Sequence, residues 1–227
     1  MKYIVIGLGH FGSNLATNLT NAGHEVIGID NHSERIDELK DSVTTVMKLD
    51  STNINAVKSL PLNDCDAVIV AIGEDVGSSV LTAAILKNLG FTRIIARAVS
   101  QLHRKILNQI GIEEVVLPLE DSARQVASML QLRNTLSLTE LNSDYAMAEI
   151  AVPVKYSGHA PEAISIGDRF NLKLIAIKTP PEKGIISSLL RREYRVDLSP
   201  DLILPLGEKD ILIVAGKTND IKRFIES

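Results

Sequence analysis

The chain has 227 residues, 45% of them hydrophobic and 23% charged, enough for one large or two small domains with buried cores. A formal net charge of −4 leaves no basic excess to neutralise phosphates, which argues against a general nucleic-acid binder. The single cysteine, Cys65, excludes an internal disulfide framework, and the longest apolar runs, such as "AVIVAI" (67–72), are far too short to span a bilayer.

Met1 leads directly into a short apolar run, "KYIVIG", rich in β-branched residues and stopped by glycine, as a buried parallel strand should be. No long apolar leader precedes it, so a cytoplasmic protein is expected. "GSNLATNLTNAG" then places Leu15 and Leu19 on one helical face, and "HEVIGID" is a second strand. "HSERIDELK" reads as a helix with Ile36 and Leu39 turned inward. The alternation continues through strand "VTTVMKLD", helix "NINAVKSL", strand "DAVIVAIG", helix "SSVLTAAILKNLG", strand "RIIARA", helix "HRKILNQIG" and strand "EEVVLP". Six strands with intervening helices predict a parallel, doubly wound, Rossmann-like α/β sheet over residues 1–118.

After Pro118 the pattern changes. "LEDSARQVASMLQLRNTLS" (119–137) predicts one amphipathic linking helix with Ala123, Val126, Ala127, Leu130 and Leu132 as its apolar positions. Residues 138–227 predict a small α+β domain: strands "YAMAEIAVPV", "NLKLIAIKT" and "KDILIVAG", and a closing helix "KTNDIKRFIES". "TPPEKG", "DLSP" and "LPLGEKD" read as connectors between them.

The chemistry concentrates in "GLGHFG". Gly7, Gly9 and Gly12 hold the three positions of G-x-G-x-x-G between a strand and a helix. The first allows a tight turn, the second lets backbone amides approach a pyrophosphate, and the third permits close helix–strand packing. The helix N-terminus adds unpaired N–H groups that favour an anion. Asp30 ends the second strand, where a carboxylate accepts hydrogen bonds from ribose hydroxyls and repels a 2′-phosphate, which disfavours NADP. Asp50 and Ser51 follow the third strand and are placed to border an adenine. Ile72, Gly73 and Glu74 follow the fourth. Arg97 ends the fifth strand within reach of a phosphate, and His103 opens the next helix.

A hydride-transfer enzyme would need a positioned acid–base group. His24, His32 and His159 read as solvated turn residues, and none of the five histidines sits in a Ser/His/Asp, HExxH or Cys/His pattern. Catalysis is unsupported. A small NAD-dependent oxidoreductase and a ligand-free assembly scaffold stand as the alternative readings.

"YIVIGLGHFGSNLATNLTNAGHEVIGID", "VIVAIGED", "IIARA" and "ILNQIGIEEVVLP" resemble the RCK-N (TrkA-N) domain. "EAISIGDRFNLKLIAIK" and "DLSPDLILPLGEKDILIVAGKTNDIKRF" resemble the RCK-C (TrkA-C) domain that follows it. The resemblance covers nearly the whole chain, at the size of the Ktr-type cytosolic subunits of bacterial potassium uptake systems. It implies a regulatory subunit that binds NAD(H), ADP or ATP and gates a membrane-embedded Trk/Ktr-type transporter. Such subunits lie against the inner face of the cell membrane as homodimers assembled into an octameric ring. Residues 119–137 match the family's crossover helix. Carried over by position, the nucleotide contacts fall on the turn Gly7, Leu8, Gly9, His10, Phe11 and Gly12, on Asp30, Asn31 and His32, on Leu49 and Asp50, on Ile72 to Glu74, on Arg97, Ala98 and Val99, and on His103.

Two departures stand out. The family's turn usually reads G-x-G-R-F-G, with the arginine reaching a γ-phosphate, and His10 replaces it here. The acid that follows the proline of the sixth strand, linked to a cation at the ATP site, is Leu119, with Glu120 one residue late. Both changes leave NAD(H), ADP or AMP more open than ATP, and leave the metal undefined. The C-domain of the family also takes cyclic di-AMP, but Gly167 stands where an arginine is often found, which disfavours that ligand.

Overall fold

The computed structural model describes residues 1–131, 134–181 and 194–227. The chain divides into two compact units, Met1–Asp121 and Ser122–Ser227.

In the first unit β1 (Lys2–Ile6), β2 (Glu25–Asp30), β3 (Thr45–Lys48), β4 (Ala67–Val70), β5 (Ile94–Arg97) and β6 (Glu114–Val116) form one sheet in the order β3-β2-β1-β4-β5-β6. Every pairing in it is parallel. Between strands run α1 (His10–Asn21), α2 (Ser33–Leu39), α3 (Ile54–Lys58), α4 (Val76–Asn88) and α5 (Gln101–Gln109). The apolar strand runs are explained by a sheet covered on both faces. Alternate residues of β1 and β4 point opposite ways: Ile4, Ile6, Val68 and Val70 join one core cluster, while Val5 and Ile69 join another. The chain reverses its winding between β1 and β4, so the loops after these two strands part and leave a crevice at their carboxyl ends.

Helix α6 (Pro118–Gln131) follows β6. The linking helix expected to reach residue 137 is shorter than predicted, because β7 (Thr135–Glu140) takes up its end. Asn134, with a left-handed φ of 63°, precedes that strand. Leu132, assigned above to the apolar face of the helix, lies outside the described residues, as does the end of "TPPEKG".

The second unit continues with β8 (Tyr145–Ala151), α7 (Pro161–Ile164), α8 (Ile166–Phe170), β9 (Lys173–Thr179), β10 (Arg195–Asp197), β11 (Ile211–Lys217) and α9 (Thr218–Glu226). Its described strands are antiparallel in the order β10-β9-β11-β8-β7. Ala146, Ala148 and Ile150 of β8 face a core in which the Tyr156 and Phe224 rings stack at 5.4 Å and Phe170 meets Phe224 edge-on at 5.1 Å. Strands β7 and β10 are additions to the predicted set; each is an edge strand of this sheet.

Candidate functional site

The crevice after β1 and β4 is a cleft of about 400 Å³. Its floor is the glycine turn. Gly7 has φ 94°, and a Cβ there would stand 2.9 Å from the backbone nitrogen of Ile72. A Cβ on Gly12 would run into the carbonyl oxygen of Gly7. The first glycine therefore makes the turn and the third lets α1 start directly against it, as their spacing predicted. Gly9 caps α1 without any side-chain bond, and no acid occupies the first turn, so the amides at this end face the cleft uncapped.

Asp30 is the most heavily bonded group in the site. Its carboxylate is buried at 5% exposure yet meets four donors. The Leu8 backbone N–H donates to Oδ2 at 2.7 Å and the His32 backbone N–H to Oδ1 at 2.9 Å. The His32 ring Nδ1 lies 3.0 Å from Oδ1, and Arg35 Nη1 lies 3.3 Å from Oδ2. Burial alone would raise the carboxyl pKa; the N–H donors of His32 and Leu8, the His32 ring and the Arg35 charge outweigh it, and the net shift is downward. Asp30 is thus an ionised acceptor held in place at the end of β2.

Of the residues expected to contact a nucleotide, Gly7, Gly9, His10, Asp30, Asn31, His32, Leu49, Asp50, Ser51, Ile72, Gly73, Glu74 and Arg97 all line this cleft. His10 is exposed at its mouth. Asp50 accepts from the Thr52 hydroxyl at 2.7 Å and its backbone N–H at 2.9 Å, which pull its pKa down in that order. The buried Ser51 hydroxyl is paired at 2.9 Å with Thr82 Oγ1 of α4. Arg97 lies with its guanidinium 5.5 Å from the Phe11 ring centroid and packs so closely on Gly73 that a Cβ there would meet Nη1 at 2.5 Å. Its Nε is buried without a partner.

The remaining expected residues stand elsewhere. Leu8 contributes its backbone N–H to Asp30, Phe11 underlies Arg97, and Gly12 packs helix on strand. Ala98 and Val99 line a smaller cleft with Ser100, Gln101, Leu117 and Leu119. His103 is buried, with Nδ1 accepting weakly from the Val99 N–H at 3.4 Å and Nε2 unpartnered. Burial lowers its pKa, which keeps the imidazole neutral. Leu119 is 72% exposed, while Glu120 accepts from the Gln101 side chain at 2.6 Å. Among the described residues no group of three or more His, Cys, Asp or Glu is placed to hold a metal ion.

Arg35 was missed from the sequence. It sits in α2, forks between Asp30 and Glu74, and donates to Glu74 Oε1 at 2.7 Å. Its signal was faint: a cation five residues past the strand-ending acid, in the first half of the next helix. Thr52, Asp75 and Ser78 also line the cleft without having been singled out.

A glycine turn under a helix N-terminus, an ionised acid one strand away and a parallel sheet in the order 3-2-1-4-5-6 define a Rossmann-like domain with a cleft at the carboxyl ends of its strands. The chain belongs to the TrkA-N domain family, whose pattern it matches over residues 3–118. Over its full length it is homologous to Ktr potassium uptake proteins. It is 32% identical over 223 residues to Ktr system potassium uptake protein C of Bacillus subtilis (strain 168), covering 98% of this chain and 95% of that one. The fold of both units is that of solved RCK domains. The GsuK RCK domain superposes with a TM-score of 0.67 at 18% identity, over 100% of this chain and 48% of that one. The GsuK channel bound to NAD gives 0.66 at 16% identity, over 98% of this chain and 38% of that one. No helix among the described residues is long and apolar enough to cross a membrane.

Proposed function

We propose that this chain is the nucleotide-binding regulatory subunit of a Ktr-type potassium uptake system. The reading is carried by one observation: the glycine turn, the uncapped start of α1 and the ionised Asp30 converge on one cleft in a chain homologous throughout to Ktr proteins. Gly7 to Gly12 cradle the phosphates on backbone amides. Asp30 takes the ribose hydroxyls, Leu49 to Ser51 border the adenine, and Arg97 supplies positive charge from the far wall. GsuK has been captured with NAD, which supports a ligand of that class here. His10 in place of an arginine at this cleft, and Leu119 in place of an acid at the neighbouring smaller one, favour NAD(H), ADP and AMP over ATP.

The role is regulatory. A nucleotide favouring one arrangement of paired N-domains shifts a population, and the shift passes to a membrane-embedded potassium transporter subunit. The exposed apolar positions of α6 suit the crossover helix of such an assembly, a homodimer built into an octameric ring at the inner face of the membrane. Calorimetric titration of the folded chain with NAD⁺, NADH, ADP and ATP tests the reading, together with rescue of potassium uptake in a deficient strain by coexpression with a Ktr-type membrane subunit. Saturable binding by at least one nucleotide, and rescue only with both subunits present, are expected. Absence of binding by all four removes the nucleotide-sensor role.

A further inference from the structure

The space above Gly9 is where backbone amides would approach a pyrophosphate. In this structure an ion pair borders it. A Cβ built on Gly9 would lie 3.8 Å from Arg35 Nη1 and 3.8 Å from Glu74 Oε1. The two side chains come from opposite sides of β1: Arg35 from α2, beyond β2, and Glu74 from the turn after β4. They meet over the glycine turn at 2.7 Å.

The two ends of this bridge are held very differently. Arg35 is 29% exposed and anchored to the buried Asp30 carboxylate, whereas the Glu74 side chain is 74% exposed on a turn. A carboxylate is also the chemical counterpart of a phosphate: an anionic oxygen acceptor at the uncapped N-terminus of α1, paired with a guanidinium. We propose that Glu74 is a built-in competitor for the phosphate subsite. In the free protein its carboxylate occupies Arg35 above Gly9. A nucleotide diphosphate group displaces it, and Arg35 exchanges one anion for the other while keeping its hold on Asp30. Arg35 is therefore a specificity-determining residue that reads phosphate, and Glu74 sets the threshold at which it does so.

This inference rests on the nucleotide reading above, and its test separates the two. Glu74→Gln keeps the size of the side chain and removes its charge at an exposed position. The exchange predicts that the variant binds ADP about three- to fivefold more tightly than the natural chain, the range expected for releasing a solvent-exposed ion pair. Adenosine, which has no phosphate, should bind both proteins within about twofold. Arg35→Gln should weaken ADP and narrow the gap between ADP and adenosine. ADP binding that is unchanged or weaker in Glu74→Gln, or an equal gain for adenosine, overturns the competitor role and leaves nucleotide binding standing. Absence of NAD⁺, NADH, ADP and ATP binding in both proteins overturns the nucleotide reading and this inference with it. Binding of ADP by Glu74→Gln alone supports the competition in its strongest form.

Discussion

His10 is exposed and lines the cleft within the glycine turn. An imidazole there offers fewer donors and a shorter reach than a guanidinium. His10→Arg adds a permanent cation at the point where a third phosphate would extend. It is expected to shift the ratio of ADP to ATP dissociation constants toward ATP by roughly three- to tenfold, measured by parallel titrations. An unchanged ratio would place residue 10 out of reach of the γ-phosphate. At this scale the sequence was most informative where a residue type has few other uses. The glycines and Asp30 follow from spacing alone. Arg35 did not, because its importance depends on a neighbour, Glu74, that is 39 positions away and brought close only by the crossing of β1.

Among the elements, α1 depends most sharply on one residue. Its first turn lies so close to the end of β1 that the Gly7 carbonyl occupies the space of any side chain at position 12. Backbone cannot yield as a flexible side chain would. Gly12→Ala should therefore destabilise the first unit by about 2 kcal/mol or more, lower its thermal midpoint by several degrees, and weaken nucleotide binding by tilting the amides of the turn. Thermal unfolding followed by circular dichroism, with and without ligand, checks this; a midpoint within a degree of the natural chain would mean α1 can slide. Strands β1, β2, β4 and β5 were legible because strands covered on both faces are written as apolar runs bounded by glycine or charge, while the less buried edge strands β3 and β6 followed from the alternation with helices. β7 and β10 were not. "TLSLTE" follows a helical pattern without a break of glycine or proline, and "RVD" is too short to carry a period; both gain strand geometry from the neighbour they pair with.

At the scale of the molecule, the two units are self-sufficient cores, each with its own sheet and its own buried cluster. Helix α6 differs from both. Its apolar positions Ala123, Val126, Ala127 and Leu130 were assigned from periodicity to one stripe, and in the single chain all four are exposed, Leu130 by 81% and Val126 by 54%. A stripe of this kind is stabilised when another surface covers it, and in the assembly proposed above that surface is supplied by identical chains. Protein concentration then becomes a thermodynamic variable of the folded state, in the same sense as temperature. The midpoint of unfolding should rise with protomer concentration, and Leu130→Asp should abolish that dependence while leaving the low-concentration midpoint nearly unchanged. Scanning calorimetry across a hundredfold dilution measures it, and a midpoint independent of concentration would mean that the stripe stays bare. A cell holding few copies of such a chain would hold it mostly as separate protomers. The sensing proposed above would then respond to how much of the protein has been made as well as to how much ligand is present.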